Sequence, residues 1–449
     1  MSTRNLLASS LLLLGAIAAA DSRAANQNFI VNNALDVTDS NPGDGICHAV
    51  GGINGTCTLR AAIVEANAHG GDHLIALPSG MYTLSEVGTG EDNGATGDLD
   101  IKRHITIVNG TNNPPSIYAN GIDRVFDVRD GAHLELDNIH VGGGLANAEN
   151  NVHGGAFRVN LNAELTLREV VVSVNVANIG GGIYSDGDVV IEDSEFFNNA
   201  IVDDHVLSEF ANGDAILSRG TLSITRSSFH DNGVIPGAVG LEFLTAEAAI
   251  HLRNNGPADP FFGMINSTVA QNSIGIRSEG VMSMLIMNTI ANNRGMGFRF
   301  NFDIDNMGNG QLYVRHTAIT GNNEGGFNCN QLDPVSFVDE LDVTDQYNAS
   351  SDDTCGFIGA SDFENIADPF FAQLDTWGGM TPALMPNPDS ELVDNGGIQC
   401  SPSYEDQRGV TRPIDGNGDL AIGCDIGAIE YNPATDPELP PELFKDSFE

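Results

Sequence analysis

Runs of alternating apolar and polar residues recur between residues 165 and 322. Each run ends in an asparagine, and an apolar residue stands three positions before it. These asparagines are Asn175, Asn199, Asn232, Asn272, Asn293 and Asn322. Alternation with a period of two predicts β-strands that turn one apolar row inward. A unit this short cannot bury that row alone, so it has to stack on neighbouring units.

A second series of strands, led by glycine or serine, interleaves with these runs: GGAFRV, GGGIYS, GDAILS, SIGIRS and GMGFRF. The spacing between consecutive asparagines varies from 21 to 40 residues, because extra residues can leave a stack as loops. Both series fit an all-β, right-handed parallel β-helix of the pectate-lyase type, whose coils rise by about 4.8 Å, the strand spacing. The rival architecture, a β-sandwich or propeller, would show hairpin turns every 8–12 residues or so.

The recurrent asparagines have a mechanical interpretation in this fold. Asparagine tolerates left-handed backbone at a sharp corner, and stacked side-chain amides can hydrogen-bond along the axis. We therefore expect a ladder of asparagines at one corner of the solenoid, in preference to a set of ligand-binding residues.

The stretch CTLRAAIVEANAHGG, residues 57–71, predicts a helix instead of strands. Its apolar stripe has helical spacing and consists of Leu59, Ala62, Ile63 and Ala66. Thr58 is placed to cap the first turn, and Gly70 is placed to end the helix. The polar residues expected to point away from the stripe are Arg60, Glu65 and Asn67. The open first coil of a solenoid needs a cap, and we expect this helix to provide it.

The first 20 residues have the pattern of a secretory signal peptide, with Arg4, an apolar core at 6–17 and small residues at 18–20. That core is too short to span a bilayer.

Export makes disulfides plausible, and short loops favour pairing between neighbours in sequence. The predicted bridges are Cys47–Cys57, Cys329–Cys355 and Cys400–Cys424. The expected location is secreted or cell-surface, with the periplasm as an alternative.

The chain has 19 Lys and Arg against 61 Asp and Glu, which gives a formal net charge of −42. The two lysines are Lys102 and Lys445. This balance argues against nucleic acid or anionic lipid as a partner.

Three sets of motifs resemble known bacterial families. GGAF at 154–157, FFNN at 196–199 and FHDN at 229–232 resemble the GGAI and FxxN repeats of polymorphic outer-membrane proteins, which are β-helical surface passengers and include adhesins. CTLRAA, at 57–62, resembles the Cys-Ser-Leu-Arg-Glu-Ala module that opens many exported β-helix proteins. That resemblance covers roughly 29–141 and departs from the motif at Thr58 and Ala61.

At the other end, DPFFAQL, DQRGVTRPIDGNGD and CDIGAIEY resemble the choice-of-anchor module of bacterial surface proteins, over about 368–431. The last residues, LFKDSFE, resemble a terminal tag on exported proteins of some Gram-negative bacteria.

We expect the chain to divide into five parts. These are a signal peptide (1–20), the N-terminal cap with the first coils (21–120), the β-helix (121–330), the C-terminal coils with the choice-of-anchor-like module (331–431) and a disordered acidic tail (432–449).

No catalytic residues are predicted. The best carboxylate group, Asp203-Asp204-His205, is expected to be a solvated loop, because adjacent residues of a strand face opposite ways.

Arg158, Arg277 and Arg299 hold the same place in their strands, and Arg219 and Arg253 lie one or two positions off. Stacked coils would bring them to one face, where they could bind an anionic glycan. The alternative is that each arginine pairs with local acids.

Two turns are candidates for Ca²⁺. The first contains Asp415, Asn417 and Asp419, which alternate with glycine. The second contains Asp36, Asp39, Asn41 and Asp44. Turn chemistry is an equally good explanation of the first and a better explanation of the second.

The sequence therefore predicts an exported, non-enzymatic binding protein, adhesin-like or glycan-binding, with recognition carried by loops 200–213, 233–247 and 300–311. The main alternative is a polysaccharide lyase or hydrolase that acts on an acidic glycan. A structural role in the envelope is a third possibility.

Overall fold

The computed structural model describes ten ranges of the chain, which are 26–53, 55–146, 152–202, 213–233, 247–254, 260–301, 310–322, 327–330, 346–367 and 369–436. The predicted signal peptide and the group at 203–205 lie outside them, as do most residues of the three predicted recognition loops.

Three long parallel sheets dominate the described residues. Sheet I contains β4 (Leu99–Ile101), β7 (Phe126–Val128), β11 (Phe157–Val159), β15 (Ile183–Ser185), β19 (Ile216–Ser218), β22 (Ala248–Arg253), β25 (Ile274–Glu279) and β28 (Phe298–Asn301). Sheet II contains β1 (Gln27–Ile30), β2 (Asp72–Ala76), β5 (His104–Val108), β8 (His133–Asp137), β12 (Glu164–Arg168), β16 (Asp188–Glu192), β20 (Leu222–Thr225), β23 (Phe261–Ile265), β26 (Met282–Ile286) and β29 (Leu312–Arg315). Sheet III contains β3 (Met81–Thr83), β6 (Ser116–Tyr118), β9 (His140–Gly142), β13 (Val171–Ser173), β17 (Glu195–Phe197), β21 (Ser228–His230), β24 (Thr268–Ala270), β27 (Thr289–Ala291), β30 (Ala318–Thr320) and β31 (Ala349–Ser350).

Each complete coil passes from sheet I to sheet II and then to sheet III before it returns one strand further along. A small fourth sheet joins three of the coils and contains β10 (Leu145–Ala146), β14 (Val176–Ala177) and β18 (Ala200–Ile201). The predicted fold class, an all-β parallel β-helix with an N-terminal helix, is confirmed.

The core lies inside the coils, where inward residues of successive coils stack on one another. The rings of Phe126 and Phe157 stack at 5.5 Å, and those of Phe196 and Phe229 stack at 4.8 Å. All four side chains are fully buried. Burying one such side chain contributes about 1.5–3 kcal/mol, and stacked rings add a further fraction.

The predicted asparagine ladder is present at the end of the sheet III strands. From Asn175 to Asn322, each side-chain amide donates to the side-chain oxygen of the next asparagine at 2.9–3.1 Å. The expectation that these asparagines themselves have left-handed backbone is wrong. The left-handed residue is the one before each of them, for example Val174 (φ 58°) and Asp231 (φ 52°). The corner bends there, which leaves the following asparagine free to point along the axis.

A second ladder, which sequence reasoning missed, lies at the corner between sheets II and III. Its members are Ser194, Ser227, Ser267, Asn288, Thr317 and Asn348. The backbone N–H of each donates to the side-chain oxygen of the next at 3.0–3.3 Å. These hydrogen bonds satisfy buried corner amides that no strand can pair.

Helix α1 (Leu59–His69) covers the first coils, as predicted. Thr58 Oγ1 accepts a hydrogen bond from the N–H of Ala61, and the Cys47–Cys57 bridge holds the segment before the helix. The predicted apolar stripe is buried. At 11 residues, α1 is short for a membrane span, and no helix among the described residues has the length and apolarity of one.

The polar side of the helix corrects the sequence analysis. Arg60 and Glu65 do not point into solvent but are fully buried, and Asn67 is half-buried. Arg60 binds Asp36 at 2.6 Å and donates to backbone oxygens of the segment 94–98. Glu65 accepts N–H groups from the segment 43–45. The segments 43–45 and 94–98 therefore cover the polar side of α1, away from the apolar stripe.

The remaining predicted disulfides, Cys329–Cys355 and Cys400–Cys424, are both present.

After the last coil, residues 369–436 fold back along the outside of sheet III. They contain an antiparallel pair, β32 (Phe370–Asp375) and β33 (Ala383–Pro386). Their apolar residues pack on alanines from four strands of sheet III, which are Ala270, Ala291, Ala318 and Ala349. The first residues of the predicted acidic tail, 432–436, also lie here, and Asp436 binds Arg408 at 2.8 Å.

Candidate functional site

The outward face of sheet I carries most of the predicted binding residues. Strand register places one residue of each strand in a single row, which we call the central row. It contains Asp100, Asp127, Arg158, Tyr184, Leu217, His251, Arg277 and Arg299. The structure thus brings Arg158, Arg277 and Arg299 to one face, although their role in binding stays a prediction.

A second row lies two residues further along each strand, on the same face. It contains Lys102, Arg129, Asn160, Asp186, Arg219, Arg253 and Glu279. Arg219 and Arg253, which the sequence placed slightly out of line, belong to this row. The three predicted recognition segments adjoin sheet I in sequence, since 200–213 and 233–247 precede β19 and β22, and 300–311 overlaps the end of β28.

The two rows concentrate positive charge on a strongly acidic chain. They hold seven of the 19 basic side chains and four acidic ones, whereas the whole chain carries a formal net charge of −42. Two further acids from neighbouring segments, Asp92 and Glu247, also reach these arginines. With these six acids counted, the face has seven basic and six acidic side chains and is therefore far less acidic than the chain as a whole.

Asp127 is the centre of the first cluster on this face. Arg129 Nη1 lies 2.9 Å from its Oδ2, and Asn160 Nδ2 donates to its Oδ1 at 2.6 Å. Arg158 approaches it at 3.6 Å, and Arg129 also binds Asp92 at 3.0 Å. Arg158 is thus held by one long contact, which leaves most of its guanidinium donors available.

Asp100, the neighbour of Asp127 in the central row, is buried beneath the segment 91–97 and accepts the N–H of Gly94 at 2.8 Å. Burial, helped by the charges of Asp98 and Asp127, raises the pKa of Asp100 to about 8. At neutral pH this carboxyl is therefore mostly protonated, and it subtracts little from the positive charge of the face.

Tyr184 is the centre of the second cluster. Its hydroxyl donates to the carboxylate of Asp186 at 3.2 Å, the guanidinium of Arg219 lies 5.3 Å from its ring centroid, and the ring of His153 lies at 4.2 Å. Burial and the charge of Asp186 raise the pKa of Tyr184 to about 12. Burial and the nearby arginines lower the pKa of His153 to about 4. Both rings are therefore uncharged at neutral pH.

Glu279 is the centre of the third cluster. Arg277 Nε donates to its Oε1 at 2.6 Å, and Arg253 and His251 approach its Oε2 at 3.7 and 3.3 Å. Burial acts to raise the pKa of Glu279, but contact with His251 and Arg277 outweighs it and holds the pKa at about 2. Glu279 is therefore ionised and neutralises part of the charge of Arg277.

The pairing of arginines with local acids, the alternative left open by the sequence, occurs at Arg158 and Arg277. Arg299 is also half-buried but differs in that it forms no ion pair with any described residue.

A cavity of about 450 Å³ opens where the second row meets the N-terminal cap, between α1 and Lys102. Its wall includes Asp39, Asn67 and Asn93, so it combines a carboxylate, amides and one ammonium with apolar side chains.

The side chains of both candidate Ca²⁺ turns are already engaged, by backbone N–H groups or by other side chains. Asp415 accepts N–H groups from Gly418 and Leu420. Asn417 and Asp419 each accept an N–H two residues ahead. In the other turn, Asp36 binds Arg60, and Asp39 and Asp44 also accept backbone N–H groups. No group of three or more His, Cys, Asp or Glu within the described ranges is arranged to hold a metal ion. A Ca²⁺ site at 415–419 stays a prediction.

Sequence reasoning missed the most connected residues of the face, which are Asp127, Tyr184 and Asp186. A signal for one of them was present: aligning GGAFRV with GGGIYS places Tyr184 beside Arg158. The contacts of Asp186 with Arg219 join residues 33 positions apart, and they become visible only when the length of each coil is known.

Comparison with known proteins gives similarity in fold alone. No family model and no curated protein matches the sequence. The structure is similar to that of the pectate lyase Pel9A, with 14% identity and a TM-score of 0.48 over 90% of this chain and 98% of the other. It is also similar to a rhamnogalacturonan lyase, with 13% identity and a TM-score of 0.46 over 88% of this chain and 96% of the other. At such identity the similarity concerns the path of the backbone and says nothing about chemistry.

Proposed function

We propose that this chain is an exported, non-enzymatic protein that binds an anionic glycan along the outward face of sheet I. The observation that carries the proposal is the concentration of seven basic side chains in two rows of a chain whose net charge is −42. Guanidinium groups suit this task because their planar fork binds a carboxylate through two parallel hydrogen bonds.

The ion pairs on this face are compatible with such binding. Arg158 and Arg277 keep about a quarter of their side-chain surface exposed, at 26% and 25%. Each guanidinium has five N–H donors, and a local carboxylate occupies only some of them. Arg299 has no local acid partner among the described residues. From Arg158 to Arg299 there are five strand steps, or roughly 24 Å, so a linear polymer along the axis would contact several arginines at once.

Export and surface location are part of the same proposal. Three disulfides support an oxidising compartment. The motifs at residues 57–62 and 368–431 agree with an exported β-helix protein that carries a surface-type C-terminal module. The partner would then be an extracellular glycan or another component of a cell surface.

The test is titration calorimetry with polygalacturonate as the anionic polymer and dextran as the neutral one. We expect binding of polygalacturonate alone, weakened by added salt as exposed ion pairs are. Arg299→Glu should weaken it at least tenfold, and Arg158→Glu should weaken it further. Arg168→Glu on sheet II is the matched control, because Arg168 is half-buried like the arginines of sheet I and, like Arg158 and Arg277, is paired with local acids. Equal affinities of the Arg299 and Arg168 variants would refute the proposal.

A lyase or hydrolase acting on an acidic glycan is the second candidate. It is favoured by the shifted pKa values of Tyr184 and His153 on the same face, since such shifts cluster at catalytic sites. Incubation with polygalacturonate separates the two candidates. Release of unsaturated or reducing ends that stops in Tyr184→Phe would establish the enzyme, and intact polymer with retained binding would establish the binding protein.

A further inference from the structure

The outward face of sheet II, near the N-terminal cap, carries a column of four side chains that the proposed function does not use. Strand register places Asp72, His104, His133 and Glu164 side by side on four successive strands. Successive strands are about 4.8 Å apart, so two imidazoles are neighbours and a carboxylate flanks each of them.

The two imidazoles are stacked and oriented alike. Their centroids are 4.4 Å apart and their planes are inclined by 19°. His104 Nδ1 lies 3.7 Å from a carboxylate oxygen of Asp72, and His133 Nδ1 lies 3.8 Å from one of Glu164. Both Nδ1 atoms therefore face acids, and both Nε2 atoms lie on the other side of their rings. The side chains of His104 and His133 are 42% and 22% exposed, so an ion from solvent can reach them.

We propose that His104 and His133 bind a divalent transition-metal cation such as Zn²⁺, Ni²⁺ or Cu²⁺ through their Nε2 atoms. Imidazole nitrogen suits these ions, whereas Ca²⁺ and Mg²⁺ prefer oxygen. A histidine that ligates a metal commonly gives its other ring N–H to a carboxylate, which fixes the tautomer and the ring orientation. Asp72 and Glu164 stand where that partner is needed.

Metal binding requires both imidazoles to turn. A bond from metal to imidazole nitrogen measures about 2.0–2.1 Å, so two nitrogens on one ion are at most about 4 Å apart, and the ion lies close to the plane of each ring. The two rings are stacked and nearly parallel, with planes inclined by 19°, so each side chain has to rotate until its Nε2 points at the shared ion. His133 Nε2 now lies 3.1 Å from Thr166 Oγ1, and ion binding replaces this contact. Two protein ligands leave the remaining positions to water.

The surroundings favour a cation. Asp72, Glu164 and Glu135 place three carboxylates around the imidazoles, and Arg168, which pairs with Glu135, is the nearby basic group. The site lies on sheet II, so its occupancy is independent of glycan binding on sheet I.

Calorimetric titration of the chelator-treated full chain with NiCl₂ tests the proposal. We expect one equivalent to bind with a micromolar dissociation constant. His104→Ala and His133→Ala should each weaken this binding at least tenfold, and Asp72→Asn should weaken it about tenfold through loss of the partner of Nδ1. His140→Ala on sheet III is the matched control and should bind as the unchanged chain does.

Each contrary result is decisive once circular dichroism has shown that the variants keep the fold. If no equivalent binds, or if His104→Ala and His133→Ala bind Ni²⁺ as tightly as His140→Ala, the proposal is overturned. In the second case other side chains hold the ion. A Co²⁺ absorption spectrum provides an independent readout, because ligand-field bands that respond to His133→Ala require nitrogen bound to the metal.

Discussion

The side-chain amide of Asn199 donates to the side-chain oxygen of Asn232, one coil further along the axis, at 3.1 Å. The same oxygen accepts the backbone N–H of Asn199, also at 3.1 Å. Asn232 repeats the arrangement toward Asn272 and donates to the backbone oxygen of Phe196. Each buried asparagine thus satisfies polar groups in three successive coils.

Asn232→Ala should therefore destabilise the solenoid strongly. It removes the acceptor for two N–H groups of Asn199 and the donor for the oxygen of Phe196, all in a site without solvent. Leaving a buried polar group unpaired costs about 1–3 kcal/mol, so we expect a loss of about 3 kcal/mol in the free energy of unfolding. Urea denaturation measures it, and hydrogen exchange should show lost protection around β17 and β21.

Asn113→Ala is the matched control for that substitution. Asn113 is exposed, and its side chain forms no hydrogen bond with a described residue. Its replacement should change the free energy of unfolding by less than about 0.5 kcal/mol. Similar losses in both variants would show that the ladder contributes nothing beyond an ordinary polar surface residue.

Arg60→Met should destabilise the N-terminal cap. Arg60 is fully buried and binds Asp36 at 2.6 Å, and Asp36 itself is 7% exposed. Removing one partner of a buried ion pair costs about 3–5 kcal/mol, because the other charge stays buried without compensation. The double variant Arg60→Met/Asp36→Asn should recover part of this loss. Thermal unfolding of the three proteins measures both effects, and a double variant less stable than Arg60→Met would contradict the argument.

The short repeated patterns of the sequence were enough to predict the fold, because each coil repeats the same arrangement of alternating strands and a polar corner. Alternation defined the strands, the recurrent asparagine defined a corner, and short loops selected the disulfides. The second ladder, of serine, threonine and asparagine, was missed because those side chains are common in turns and its members differ in type from coil to coil. The burial of Arg60 and Glu65 was missed because the segments that cover them are 20 or more residues away in sequence.

The candidate face was predictable only in part, and the reason is register. Arg158, Arg277 and Arg299 share a position within similar strands, so alignment of the strands revealed them. Asp127 precedes the first glycine-led run that was aligned, and Asp186 and Arg219 meet only because one coil happens to contain 33 residues. The interactions that tune charge on this face depend on coil length, which varies, and therefore need coordinates.

Asp100 should make stability fall as pH rises from about 4 to 8. Its pKa is raised by burial from 3.8 to about 8. Across that window the unfolded chain has lost the proton and the folded chain keeps it, so rising pH favours unfolding. Asp100→Asn lacks this titration and should lose less stability between those limits. Asp130→Asn, at an exposed position, is the control. Urea denaturation across the window checks the result, and parallel profiles for the parent and Asp100→Asn would contradict it.

His230 should contribute stability that is lost at higher pH. Burial acts to lower its pKa, but hydrogen bonds with Asp231 at 2.9 Å and Glu195 at 2.8 Å outweigh it and raise the pKa to about 9. The folded state therefore favours the imidazolium form. This stabilisation is complete below the ordinary pKa of 6.5 and disappears as pH rises through about 9. His230→Asn should be less stable than the parent at pH 6, and the difference should shrink toward pH 9. His140→Asn on the same sheet is the control, because burial lowers the pKa of His140. It should show no such dependence above pH 6.5, and a constant deficit in His230→Asn would instead assign this histidine a packing role only.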